Sequence, residues 1–195
     1  MHAKAVANVA ALRVLNDLEG SGRAVSDTDR SVLANYSGWG ALPYVLDPDP
    51  RPEWVSLAGD VRGVVSAVEW EQARASTLNA HYSDPLLAGA IWDAVVGLGA
   101  SGGRVLEPGC GPGRFLGACP TPGLWEFVGV EIDSVSARIA RVLFPTASIR
   151  TEPFEQSRFP VGSFDAVWGT SRSRSTHRST RSTTGIGSRC ITTRF

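Results

Sequence analysis

Apolar and polar positions along this chain follow two different periods, and the switches between them mark out its elements. From Ala3 to Glu19 apolar residues recur at helical spacing in an alanine-rich run that Gly20 ends. Ser26-Asp27-Thr28-Asp29 supplies capping side chains for a second helix, from Asp29 to Ala34 or so. Tyr36 to Pro52 carries Pro43, Pro48, Pro50 and Pro52 and predicts turns. Helical spacing returns over Val61–Asn79 and Pro85–Leu98, starts again over Arg114–Cys119, and resumes over Ser134–Phe144. In that last helix Ile139 and Leu143 face inward, and Pro145 ends it. Short apolar runs of strand type lie between: one at Val105-Leu106, one from Phe127 to Asp133, Ser148-Ile149-Arg150, and Ser163 to Trp168. Strands separated by helices predict an α/β fold, with a parallel sheet and ligands at the carboxyl ends of its strands.

The first strand runs into Glu107-Pro108-Gly109-Cys110-Gly111-Pro112-Gly113. Glycine at every second position allows a tight turn and close approach to a ligand. The acid ahead of the turn has the wrong charge for cradling a phosphate. It suits a cationic or hydroxyl-bearing small molecule. Glu131 follows Glu107 by 24 residues, about one helix and two loops. An acid at the end of a second strand can accept both hydroxyls of a ribose, with Ile132 placed to pack against a base.

Composition narrows the class. At 195 residues and 43% hydrophobic, the chain has room for one domain with a real core. No apolar run approaches the ~20 residues of a membrane span. No signal peptide is read at the N-terminus. Cys110, Cys119 and Cys190 form no paired motif, which implies free thiols and a reducing cytoplasm. His81 and His177 lack partners at metal spacing. The net charge is zero, yet six of the 19 basic residues are arginines after Thr170, and the last acid is Asp165. Residues 1–169 therefore hold 13 basic against 19 acidic side chains, so the tail alone would attract phosphate.

With Glu107, the glycine turn and Glu131 in this order, the chain resembles the class I S-adenosylmethionine-dependent methyltransferases. The nearest group is the adenine-specific DNA methyltransferases, on the aromatic-Ser-x-Pro segment Tyr82-Ser83-Asp84-Pro85 ahead of the glycine turn. More narrowly, Tyr36-Ser37-Gly38-Trp39-Gly40, then Ala73 to Tyr82, then Leu106 to Gly111 are similar to the opening of large plasmid and phage proteins that join methylase-like and helicase-like regions. The resemblance implies S-adenosylmethionine as cofactor, held by Tyr82, Ser83, Pro85, Glu107, Gly109, Gly111, Gly113, Glu131, Ile132 and Phe154, and DNA as partner of an intact member. It implies an incomplete Rossmann-like sheet, about four strands where such sheets have seven. A central strand would be left as a raw edge, and marginal stability is expected. The domain reading is a helical N-terminal extension over 1–80, a partial cofactor-binding domain over 81–169, and a disordered Ser/Thr/Arg-rich tail over 170–195.

Adenine methyltransferases carry Asn/Asp-Pro-Pro-aromatic, or Asn-x-Pro-Phe, after the fourth strand. The amide accepts the hydrogens of adenine N6, and the aromatic stacks on the flipped base. Here Asp165-Ala166-Val167 runs into Trp168-Gly169-Thr170-Ser171-Arg172-Ser173, which lacks those groups, so no catalytic residue is assigned. A one-base shift of frame near Trp168 permits Gly-Asn-Val-Pro-Phe at that place, and further on Phe-Asp-Pro-Val-His-Asn-Arg. A frameshifted, truncated product is the expectation, with a genuine basic arm as the other reading. Two function classes follow: a DNA adenine-N6 methyltransferase lacking its acceptor motif, and a binding-only or structural remnant. Plainer roles stand beside these. The glycines could only turn the chain, Tyr82 could be a core aromatic, Pro85 a helix start, Phe154 a core residue, and Asp133 a helix cap.

Overall fold

The chain is described here from a computed structural model over residues 1–40, 42–77, 82–168 and 192–193. Helix α1 (His2–Ser21) buries Ala5, Val9, Leu12 and Leu15 along one stripe, and closes at Gly22, whose left-handed backbone lets its amide bond Leu18. Helix α2 (Asp27–Ala34) begins two residues earlier than expected, because Ser26 and Asp29 form a reciprocal capping box. A 3₁₀ turn at Pro43–Leu46 interrupts the proline-rich stretch.

The single helix expected over Val61–Asn79 is two helices among the described residues. Helix α3 (Pro52–Arg62) ends at Gly63, and α4 (Ala67–Ser76) restarts from a second capping box, Ser66 with Glu69. Apolar spacing through Val61, Val64, Val65 and Val68 runs across this break, so periodicity alone does not show it. Asn79 lies outside the described residues.

The remaining elements are α5 (Pro85–Gly97), β1 (Gly103–Pro108), α6 (Arg114–Gly117), β2 (Trp125–Glu131), α7 (Ser134–Leu143), β3 (Ser148–Thr151), β4 (Ala166–Val167) and β5 (Thr192–Thr193). The sheet order is β3-β2-β1-β4-β5, parallel throughout except for β5, which runs antiparallel to β4. This is the Rossmann-like α/β arrangement expected, with four parallel strands and their carboxyl ends on one edge. The fourth strand is shorter than the sequence suggests. The tail expectation falls outside the described residues, except that Thr192–Thr193 flank β4.

Successive residues of β1 serve opposite faces of the sheet. Val105 joins Phe127 and Ile149 under α5 and α7, where Trp92 is the hub of an aromatic cluster. Its ring centroid lies 4.5 Å from that of Trp168, 5.2 Å from Trp125 and 5.9 Å from Phe127. Leu106 faces the other way with Val128 and Val130, covered by Phe159 and Phe164.

Helices α1 to α4 share their core with α7, because Val135 and Ile139 are buried among their side chains. Arg138 of α7 pairs with Glu19 of α1 and Glu69 of α4. Arg30 of α2 donates to the carbonyls of Val142 and Leu143 at the carboxyl end of α7.

Candidate functional site

The register Glu107↔Gly129, with Glu131 two residues further along β2, puts both carboxylates on the α5–α7 face of the sheet. The missing side chain of Gly129 makes room for Cys110, whose Sγ would stand 2.6 Å from a Cβ there. The bend between β1 and α6 takes positive φ at Gly109, Gly111 and Gly113 (+69°, +54° and +87°). Its entry is fixed by the amides of Gly109 and Cys110, which both donate to the Val130 carbonyl, at 2.7 and 3.1 Å.

The two acids are bonded differently. Glu131 Oε2 accepts the Gly111 amide at 2.7 Å, and Oε1 accepts the Asp133 amide at 2.8 Å. It therefore ties the glycine bend to the end of β2, and a diol would have to share oxygens already in use. Burial raises its carboxyl, and the two amides pull it back. Glu107 is 4% exposed, and its Oε2 has no hydrogen-bond partner among the described residues. Burial first, and the nearby Glu131 charge second, push its carboxyl well above the ordinary range. A buried polar oxygen without a partner costs about 1–3 kcal/mol. A ligand ammonium or hydroxyl would offset that cost.

The three glycines divide by what stands over them. A Cβ on Gly109 would meet nothing within 4 Å among the described residues, which leave space above the bend at that point. A Cβ on Gly111 would lie 2.7 Å from the Tyr82 ring, and one on Gly113 would lie 2.4 Å from Phe144. Gly113, expected to touch a cofactor, turns its Cβ side to Phe144, and Gly111 turns its own to Tyr82.

Tyr82 is partly buried. Its hydroxyl bonds Ser136 Oγ at 2.6 Å, and Ser136 bonds Asp133, the N-cap of α7. Pro85 is exposed at the first turn of α5, behind an Asp84 cap that accepts the Leu86 amide at 2.8 Å, so it occupies the helix-start position. Ser83 is partly buried beside it. Ile132 and Phe154, 67% and 44% exposed, present apolar surface just beyond the carboxyl ends of β2 and β3. That leaves both rims open to a planar ring. Gly109, Glu107, Glu131, Ile132 and Phe154 thus belong to one edge of the sheet.

Sequence reasoning did not single out Asn8, Ser136 or Arg114. Asn8 is fully buried on the apolar stripe of α1, where a lone amide among Ala5, Val9, Leu12 and Leu15 was the available signal. Arg114, the first residue of α6, donates to the Tyr36 carbonyl at 3.2 Å. Cys110 is buried, and desolvation raises its thiol, so it is a poor nucleophile. Among the described residues, no three His, Cys, Asp or Glu side chains gather as metal ligands. A groove of about 430 Å³ beside the 3₁₀ turn and α4, lined by Asp47, Glu71 and Arg74, includes none of the sheet-edge residues. His81 lies outside the described residues. No described helix is long and apolar enough to cross a membrane.

Residues 106–173 match the family model described as a methyltransferase domain, a span from β1 through the glycine bend to β4 and just beyond. Over 165 residues the chain is 30% identical to the Defense against restriction protein B of Escherichia phage P1. That alignment takes in 84% of this chain and 6% of the phage protein, so the chain spans a small fraction of this relative. Among solved structures it is similar to a TehB-like SAM-dependent methyltransferase from Corynebacterium glutamicum (20% identity, 52% of each chain, TM-score 0.37). It is also similar to a methyltransferase subunit of a type I restriction-modification system from Streptococcus thermophilus (12% identity, 83% of this chain and 43% of that one, TM-score 0.36).

Proposed function

We propose that this chain is the cofactor-binding part of an S-adenosylmethionine-dependent methyltransferase acting on adenine N6 in DNA. The observation that carries the reading is the buried oxygen of Glu107 at the end of β1, unpartnered among the described residues, next to a bend that those residues leave open above Gly109 and that Glu131 braces. The match of residues 106–173 to a methyltransferase domain supports it. The cofactor is S-adenosylmethionine, which when bound supplies a methyl group activated on a sulfonium. Glu107 accepts the ammonium of its amino-acid part on the free oxygen. Gly109 lets that part lie against the backbone. Glu131 shares its oxygens with the ribose hydroxyls, and Ile132 and Phe154 border the base. These groups bind and orient; none of them moves a proton on the acceptor.

The acceptor is DNA, in keeping with the likeness of Tyr82-Ser83-Asp84-Pro85 to the adenine-specific DNA methyltransferases. The compartment is the cytoplasm, in keeping with the free thiols of Cys110 and Cys119. A second reading has its own support. Trp168 is followed by Gly169-Thr170-Ser171-Arg172, with no amide, proline or aromatic, which favours a chain that binds cofactor without methylating. A frameshift near the codon for Trp168 accounts for that departure, and the gene's third codon positions test it.

Calorimetric titration with S-adenosylmethionine tests the binding reading. Binding by the wild type and its loss in Glu131→Ala support it, and a silent wild-type titration ends it. Transfer of labelled methyl to an adenine-containing oligonucleotide separates the two readings: label in DNA selects the enzyme, and none from a cofactor-binding chain selects the remnant.

A further inference from the structure

The amide of Asn8 lies in α1, on the N-terminal helical layer, yet all its bonds go to the turn that holds Tyr82. Its Nδ2 donates to the Gly38 carbonyl at 2.7 Å, while its Oδ1 accepts the Ser37 amide at 2.8 Å and the Ser37 hydroxyl at 3.3 Å. Asn8 is fully buried, so both ends of the amide are committed to this turn. Gly38 has φ +67°, and a Cβ there would stand 2.5 Å from Tyr82 Cε2. The opposite edge of the same ring, Cδ1 and Cε1, would be 2.7 Å from a Cβ on Gly111. Tyr82 is therefore gripped between two glycines, one in each layer. Its hydroxyl is pinned to Ser136 at 2.6 Å, so the ring cannot slide along the gap. Gly111 passes the constraint on, since its amide donates to Glu131 at 2.7 Å.

We propose that Asn8 is a positioning residue for the glycine bend, acting through Ser37-Gly38 and the Tyr82 ring on Gly111 and its bond to Glu131. The N-terminal helical layer then sets ligand affinity without touching the ligand. This assignment rests on the binding reading above only for its affinity readout. The geometry of the bend can be followed without ligand. Close-packed contacts transmit a displacement of a few tenths of an ångström because no void is present to absorb it.

The test uses the full chain and two readouts: the ¹⁵N–¹H shift of the Gly111 amide, which reports its bond to Glu131, and the affinity for S-adenosylhomocysteine. Asn8→Ala is expected to move the Gly111 resonance and weaken binding ~5- to 20-fold, with the Trp92 cluster unchanged by near-ultraviolet circular dichroism. Gly38→Ala, which pushes a methyl at Tyr82, is expected to do the same. In a Tyr82→Ala background Gly38→Ala should have no further effect on either readout, because the ring that carries the displacement is gone.

A Gly111 resonance that stays in place in Asn8→Ala and Gly38→Ala overturns the proposal, as do effects that simply add in the double variant. Should Asn8→Ala fail to fold, the Gly38–Tyr82 cycle decides alone. Should the wild type bind no S-adenosylhomocysteine, the binding reading fails while the resonance test still judges this one.

Discussion

Glu131 accepts the amide of Gly111 at 2.7 Å, so the second acid of the site holds the first acid's loop in place before any ligand arrives. Replacing it has two consequences. Glu131→Ala leaves the buried Gly111 amide unpaired, a loss of about 1–3 kcal/mol. It also frees the bend that the ligand must find already formed. Urea unfolding should show the loss of stability, and calorimetry a fall in S-adenosylmethionine affinity of at least ~10-fold. A variant that binds as tightly as wild type would remove Glu131 from the site.

Glu107 sets the direction of the pH response. Its folded carboxyl lies well above the ordinary value of 4.5, because it is buried and faces the charge of Glu131. A raised carboxyl keeps its proton in the folded state over a range where the unfolded chain has lost it. Stability of the ligand-free protein therefore falls as pH rises from about 4.5 through the folded value. Glu107→Gln should flatten that decline in urea midpoints measured between about pH 5 and about pH 8, and should weaken binding of a ligand that carries an ammonium.

Gly109 and Gly113 separate binding from packing. Both have positive φ, which costs an alanine about 1–2 kcal/mol. Only Gly113→Ala also collides with Phe144, adding about 1–3 kcal/mol of overpacking. The expected pattern is a larger loss of stability for Gly113→Ala and a larger loss of affinity for Gly109→Ala. Parallel urea and calorimetric series on the two variants check it.

Trp168 should behave as a core residue. It is 3% exposed, its ring meets Trp92, and its amide donates to the Leu106 carbonyl at 3.1 Å. Trp168→Ala is expected to cost about 3–5 kcal/mol by urea denaturation. A cost below about 0.5 kcal/mol would place Trp168 among surface residues. The reading frame would then have been lost before this residue.

Local chemistry was legible in the sequence, and contacts between layers were not. The bend from Glu107 to Gly113 and the strand ending in Glu131 announce themselves because strand, turn and acid follow one another within a few residues. The apolar period runs on through the α3–α4 break and hides it, although the Ser66–Glu69 capping box marks the restart. The placing of Asn8 against Gly38, 30 residues on, has no period to reveal it. Nor does the seat of Tyr82 on Gly111, which depends on how the helical layer docks. The contact of Gly113 with Phe144, from beyond α7, is hidden for the same reason.

The shared core of α1–α4 with α7 has a practical consequence. A gene trimmed to begin at Tyr82 would strip Val135 and Ile139 of their cover and leave Arg138 without either of its carboxylates. Such a fragment would be recovered from the insoluble pellet. Purification tags and fusion partners therefore belong upstream of His2, never at the junction between the two layers.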